Sequence, residues 1–207
     1  MKPNPKAILP VILLLALVSY GVYYVLTHYA AGQGLVVSGT IEAVEVHLGT
    51  QTGGLVRKVY AAEGEMVSEG QVLVEIKPPS GVTERVYSPI GGVVLTRAIE
   101  PGEIATPGGT LLVVGDLRTL TLTVYVPEDR YGQIALGQTY PVSVDSFPGQ
   151  AFPGVVTYIA GKAEFTPRNV QTVQGRKNTV YAVRLALDNP NLALKPGMPA
   201  DVRLGRE

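Results

Sequence analysis

The side chains able to do chemistry are few, and none has the company that chemistry requires. The two histidines are His28 and His47. A metal needs several converging ligands and a catalytic imidazole needs an orienting partner, and no acidic or thiol cluster stands beside either histidine in the chain. Glu63, Glu65 and Glu103 recur at turns, where closing the turn is the expected work of a carboxylate rather than acid–base catalysis. Ser68 and Ser88 also fall in turns, with no Gly-x-Ser-x-Gly elbow and no base to activate them. The Gly pairs 53–54 and 91–92 lack the Gly-Lys-Ser/Thr and the following helix of a phosphate cradle, so they are expected to pack sheets. With no cysteine, disulfides, thiolate zinc and a cysteine nucleophile are excluded. Lys plus Arg and Asp plus Glu are 17 each, so no excess of positive charge exists to hold nucleic-acid phosphates. The expectation is a protein with no catalytic residue, no metal and no cofactor, and therefore not an enzyme.

The elements that place these residues are β-strands. Gly53 to Ile76 and Gly91 to Val114 are two copies of one pattern, with Gly53/Gly91, Gly54/Gly92, Gly64/Gly102, Glu65/Glu103, Gly70/Gly108 and Leu73/Leu111 in register without a gap. Glycines held in register are turns held in register, and two such copies face to face predict a small flattened β-sandwich. Lys77 to Arg85, with Pro78, Pro79 and Gly81, predicts a tight connection between them. Leu35 to Leu48, Leu120 to Val126, Tyr140 to Val144, Gly154 to Ile159, Thr179 to Leu187 and Ala200 to Leu204 read as strands between Pro/Gly turns, which suggests a small β-barrel. Pro127 to Gly137 reads as one or two helical turns, with Glu128 and Asp129 at the positive end of the helix dipole.

The N-terminal segment is different. Ala7 to Thr27 carries no charge, and at about 1.5 Å per residue it spans roughly the 30 Å of a bilayer core. Lys2 and Lys6 precede it, and Tyr20, Tyr23, Tyr24 and Tyr29 crowd its far end. The pattern predicts a single-pass anchor in the cytoplasmic (inner) membrane with the N-terminus in the cytoplasm and the bulk outside, and Ala30-Ala31-Gly32 would offer a cleavage site if the segment were a signal. The expected organisation is anchor 1–30, linker and first barrel strand 31–48, sandwich 49–116 and membrane-proximal β-barrel 117–207.

The doubled motif resembles the biotinyl/lipoyl domain, but the modifiable lysine of that domain sits at a hairpin tip, where this chain has Pro79-Ser80-Gly81 and leaves Lys77 before two prolines. The order of segments resembles the HlyD-type membrane fusion proteins, the periplasmic adaptors of efflux pumps and secretion systems. The stretches that carry the resemblance are SGTIEAVEV (Ser38 to Val46), VYSPIGGVV (Val86 to Val94), VPEDRYGQIALGQ (Val126 to Gln138), AEFTPRNVQT (Ala163 to Thr172) and LDNPNLALKPGMPADV (Leu187 to Val202), the last two closest to adaptors of ABC transporters. The resemblance implies a non-catalytic adaptor that forms an extracytoplasmic conduit on an inner-membrane transporter, an ABC permease/ATPase, as a homo-oligomer such as a trimer or hexamer. Members usually carry a long α-helical hairpin between the two lipoyl halves that meets an outer-membrane channel. Here the nine residues Lys77 to Arg85 stand in its place, so such a channel is not an expected partner. Glu164, Phe165, Thr166, Pro167, Arg168 and Asn169 are the candidate partner contacts, because a restricted proline beside an arginine suits a fixed recognition loop. The competing expectation is a membrane-tethered module that binds a small molecule or lipid between barrel strands.

Overall fold

The computed structural model describes residues 17–23, 35–165 and 179–205. Two compact units result, Val37–Val202 and a smaller one formed by Met1–Val36 with Arg203–Glu207. Of the expected anchor only residues 17–23 are described; they form a helix, α1, with Leu17 and Tyr20 well exposed. Among the described residues no helix is long and apolar enough to cross a membrane. Lys2, Lys6, His28 and Tyr29 lie outside the described residues.

The repeat becomes a sandwich with internal twofold pseudosymmetry. Its first copy supplies β2 (Gly54–Val59), β3 (Met66–Val67) and β4 (Val72–Lys77), and the second supplies β6 (Gly92–Arg97), β7 (Ile104–Ala105) and the start of β8 (Thr110–Pro127). Short strands cross between the copies: β2 pairs with β7 through Leu55 and Ile104, and β6 pairs with β3 through the equivalent Val93 and Met66. Hydrogen bonds are exchanged in the same way. Gly64 N donates to Val94 O and Val94 N to Glu65 O, while Gly102 N donates to Val56 O and Val56 N to Glu103 O, all at 2.8–2.9 Å. Neither copy can complete its backbone pairing alone, which is why the glycine register had to be kept. Gly64 (φ 81°) and Gly102 (φ 94°) occupy the left-handed region that these turns demand. Between the layers Val56, Leu73, Val94 and Leu111 are almost wholly buried, each such side chain contributing roughly 1.5–3 kcal/mol. The connection is shorter than the sequence suggests. Lys77 still pairs with Leu55, and Glu84 and Arg85 with Ile76 and Glu75 in β5 (Glu84–Tyr87), so only Pro78 to Thr83 is free, turned by Gly81 N donating to Pro78 O.

The second layer structure is a closed ring. β12 (Thr179–Asp188), β10 (Ala151–Ile159), β9 (Thr139–Ser143), β13 (Pro199–Leu204), β1 (Leu35–Gly49) and β8 follow one another in the sheet, and a further β12–β8 pairing closes it. Alternation sends Leu120, Leu122, Val124 and Val126 of β8 inward to meet Val183, Leu185 and Leu187 of β12, all 0% exposed. β8 runs through Asp116 and Leu117 without a break, because β1 supports it on the sandwich side (Val44↔Asp116) and both β1 and β12 support it on the barrel side (Glu42↔Thr121, Asp188↔Thr119). The helical turn after Pro127 is a single turn, α2 (Glu128–Tyr131); Pro127 is its N-cap at ψ 147° and Gly137 (φ 80°) turns the chain back toward β9.

Candidate docking surface

The polar side chains of the sandwich are used by their own turns. Glu65 accepts from Ala62 N at 2.9 Å and its mate Glu103 from Glu100 N at 2.8 Å, while Glu63 accepts from Arg97 N at 2.7 Å. Ser88 donates to Ile90 O at 2.7 Å, and His47 lies exposed on β1 opposite Val113. Among the described residues no three His, Cys, Asp or Glu side chains converge in a way that could hold a metal. Lys77 ends β4 with an exposed side chain, backed by the buried Pro78. Near it Glu84 accepts hydrogen bonds from the Thr50 hydroxyl (2.9 Å) and the Thr52 hydroxyl, which hold its carboxyl below the usual range, the Thr52 bond foremost. The motifs of the two copies reach further than their glycines indicate. Thr50 O accepts from Gly108 N and the equivalent Ser88 O accepts from Gly70 N, so these two buried hydroxyl residues are also mates.

The candidate partner contacts named from the sequence belong to the far rim of the barrel as far as they are described. Gly39 pairs with Val124, and Val180 with Pro127, so β1 enters the barrel, β8 leaves it and β12 begins at one end, opposite the end that joins the sandwich. α2 and β11 (Glu164–Phe165) belong to the same rim; Glu164 pairs with Val180 and Phe165 with Thr179. Of the candidate contacts these two residues are therefore placed on a short edge strand, with Glu164 exposed, and Thr166, Pro167, Arg168 and Asn169 lie outside the described residues. Tyr131 of α2 stacks on Tyr181 of β12 with ring centroids 4.1 Å apart. A ligand-holding barrel would need room inside, and the inward side chains of β8 and β12 fill it.

Sequence reasoning missed a cleft beside the strand that joins sandwich to barrel. About 360 Å³ lies between Met66, Gly92 and Val93 on one side and Asp116, Arg118 and Leu192 on the other. The loop after β12 is stapled there by Asn189, whose Nδ2 donates to Leu117 O (2.8 Å) and Leu194 O (2.9 Å) and whose Oδ1 accepts from Leu194 N (3.0 Å).

Residues 119–207 match the family of the CusB-like, beta-barrel domain. Over 120 residues the chain is 41% identical to the UPF0194 membrane protein in asrC 5'region of Acidithiobacillus ferridurans, a match that takes in 58% of this chain and 36% of that protein. The chain thus spans about a third of the length of this curated relative. Among solved structures, ZneB from Cupriavidus metallidurans matches with a TM-score of 0.63 at 18% identity, over 83% of this chain and 98% of that one. The membrane fusion protein Spr0693 from Streptococcus pneumoniae R6 matches with a TM-score of 0.59 at 13% identity, over 84% and 100%. The chain has the fold of a membrane fusion protein. At these identities the likeness is one of fold, and it covers both the interlocked sandwich and the closed barrel.

Proposed function

We propose that this protein is a non-catalytic adaptor of a bacterial efflux or secretion transporter, of ABC type, forming an extracytoplasmic conduit as a homo-oligomer. The observation that carries the reading is the polarity of the fold: the start of β1, α2, β11 and the start of β12 gather at one rim of a filled barrel, while the opposite end of the sandwich offers the turn Pro78 to Thr83. In this reading residues 1–30 are a single-pass anchor, 31–48 its linker and the first barrel strand, 49–116 a lipoyl-like sandwich without a prosthetic group and 117–207 the membrane-proximal barrel. β1 then brings the chain from the bilayer to the rim, and the segment Glu164 to Asn169 faces the permease. A planar guanidinium at Arg168 suits carboxylates or carbonyls of a partner, a contact commonly worth about 1–3 kcal/mol. Arg168→Ala is expected to leave the melting temperature unchanged while weakening co-purification with the cognate permease and lowering stimulation of its ATPase. A variant that melts normally and binds and stimulates like wild type refutes the docking role. Single cysteines at Ser80 and Ser146 are expected to react with an impermeant thiol reagent on spheroplasts, and reaction only after membrane rupture refutes the orientation.

A further inference from the structure

The outer face of the barrel near the rim carries a group of side chains that the adaptor reading leaves unused. β10 pairs with β12 at Val156↔Leu185 and then at Tyr158↔Arg184, a β-bulge that adds Thr157 to one strand only. Without the bulge strict alternation would turn Tyr158 outward-to-inward out of phase with its partner; with it, Thr157 and Tyr158 both face out and Val156 stays buried. Tyr158 is thereby laid against Arg184, whose guanidinium carbon stands 4.7 Å from the ring centroid. Among the described residues Arg184 makes no ion pair. Tyr125 stands on the other side of β12, across from Ala182, and Leu136 lies next to β10, where Gly137 N donates to Val156 O. Leu136 is 65%, Tyr125 48% and Tyr158 43% exposed.

We infer that this face, Tyr125, Arg184, Tyr158 and Leu136, rests on the headgroup layer of the bilayer that the N-terminal segment crosses, an inference that depends on the anchor reading above. Three observations converge on a lipid surface. Tyrosines whose rings are apolar and whose hydroxyls remain wet are the side chains favoured at a membrane interface. An arginine over one of these rings, with no ion-pair partner among the described residues, supplies a cation for lipid phosphate. The chain also limits the distance: from Thr27, the end of the apolar run, to Val37 in β1 there are ten steps of backbone, which reach about 35 Å at full extension. The bulge gives the arrangement a physical origin, because it re-aims one aromatic ring onto a cation at the cost of a ladder position.

The chain contains no tryptophan, so one introduced indole reports a single site. Leu136→Trp in the full chain is reconstituted in vesicles of phosphatidylcholine and phosphatidylglycerol, with Val82→Trp in the opposite turn as the control. The expected result is blue-shifted emission and quenching by brominated lipid for Leu136→Trp, solvent-like unquenched emission for Val82→Trp, and loss of the Leu136→Trp quenching when Arg184→Ala and Tyr158→Ala are added. A chain that floats with the vesicles while Leu136→Trp stays solvent-like overturns the lipid contact and leaves the anchor standing. Emission that shifts only when the transporter is added assigns the face to a protein partner and also overturns it. A chain that fails to float refutes the anchor and the contact together.

Discussion

Removing the Asn189 side chain is expected to cost the larger unit about 3 kcal/mol. Asn189 is 3% exposed, and both of its amide hydrogens and its oxygen are engaged: two donations to carbonyls of Leu117 and Leu194, and one acceptance from Leu194 N. Its backbone joins in, with Asn189 N donating to Arg118 O and Asn189 O accepting from the N–H of Leu192, itself a non-glycine residue at φ 52°. Asn189→Ala strands three backbone groups at once. At roughly 1 kcal/mol for each lost bond, and more wherever water cannot reach the stranded group, the sum is about 3 kcal/mol, or a fall in melting temperature of roughly 6–12 °C for a unit of this size. Asn189→Asp separates the hydrogen-bond argument from simple loss of volume. A carboxylate can still accept from Leu194 N but would face the oxygens of Leu117 and Leu194, so this isosteric change is expected to destabilise at least as much as alanine at neutral pH and to recover partly as acid protonates it. The assay is thermal unfolding of the full chain in detergent followed by circular dichroism. An Asn189→Asp protein as stable as wild type would refute the reasoning, because it would mean that the two donated bonds contribute nothing.

Gly64→Ala and Gly102→Ala are expected to destabilise equally, by about 1–2 kcal/mol each, since both sites are at positive φ and an added Cβ meets no atom within 4 Å; unequal losses in melting would show that the two turns are not energetic mates. Glu84 has a folded pKa below its unfolded value, so its contribution is present above the ordinary carboxylate range near pH 4 and disappears as pH falls through the lower folded value. Glu84→Gln should therefore lower stability at pH 7 and flatten its dependence on pH below about 4.5, and an unchanged acid limb in denaturant titrations would remove Glu84 from the account.

The repeat was legible because its landmarks are glycines, and glycine at positive φ is dictated by backbone geometry at Gly64, Gly70, Gly102 and Gly108 alike. The equivalence of Thr50 and Ser88 is not legible because the two copies keep only a hydroxyl there, although both offer their carbonyls to equivalent glycines. Strand alternation marked Leu120 to Val126, but not that one strand continues from Thr110 to Pro127, which depends on partners far away in sequence. Asn189 stands in Asn-Pro-Asn, a string that reads as an exposed turn; nothing local distinguishes a solvated Asn from one buried against Leu117, 72 residues away. The bulge at Thr157 is likewise a property of the pairing of two strands rather than of either one, so the outward aim of Tyr158 could not be read from β10 by itself.

The twofold relation within the sandwich shows how its two ends come to differ. Under that relation the turn after β4 and the descent of β8 past Gly115 are equivalent points, since Lys77 follows Ile76 as Gly115 follows Val114 in the paired copies. At one of these points the chain turns back within six residues, and at the other it runs on into a closed barrel. The two ends of the sandwich therefore share a backbone framework and differ in what is attached. The turn Pro78 to Thr83 projects one large apolar side chain, Val82 at 76% exposure, and its length limits it to a small contact. The barrel rim brings α2, β11, the Tyr131–Tyr181 stack and the start of β1 together on a closed ring. The two ends thus differ in extent: one is a six-residue turn, and the other gathers a helical turn, a short edge strand and the start of a strand around a closed barrel, which is why the docking role proposed above is placed at the barrel end.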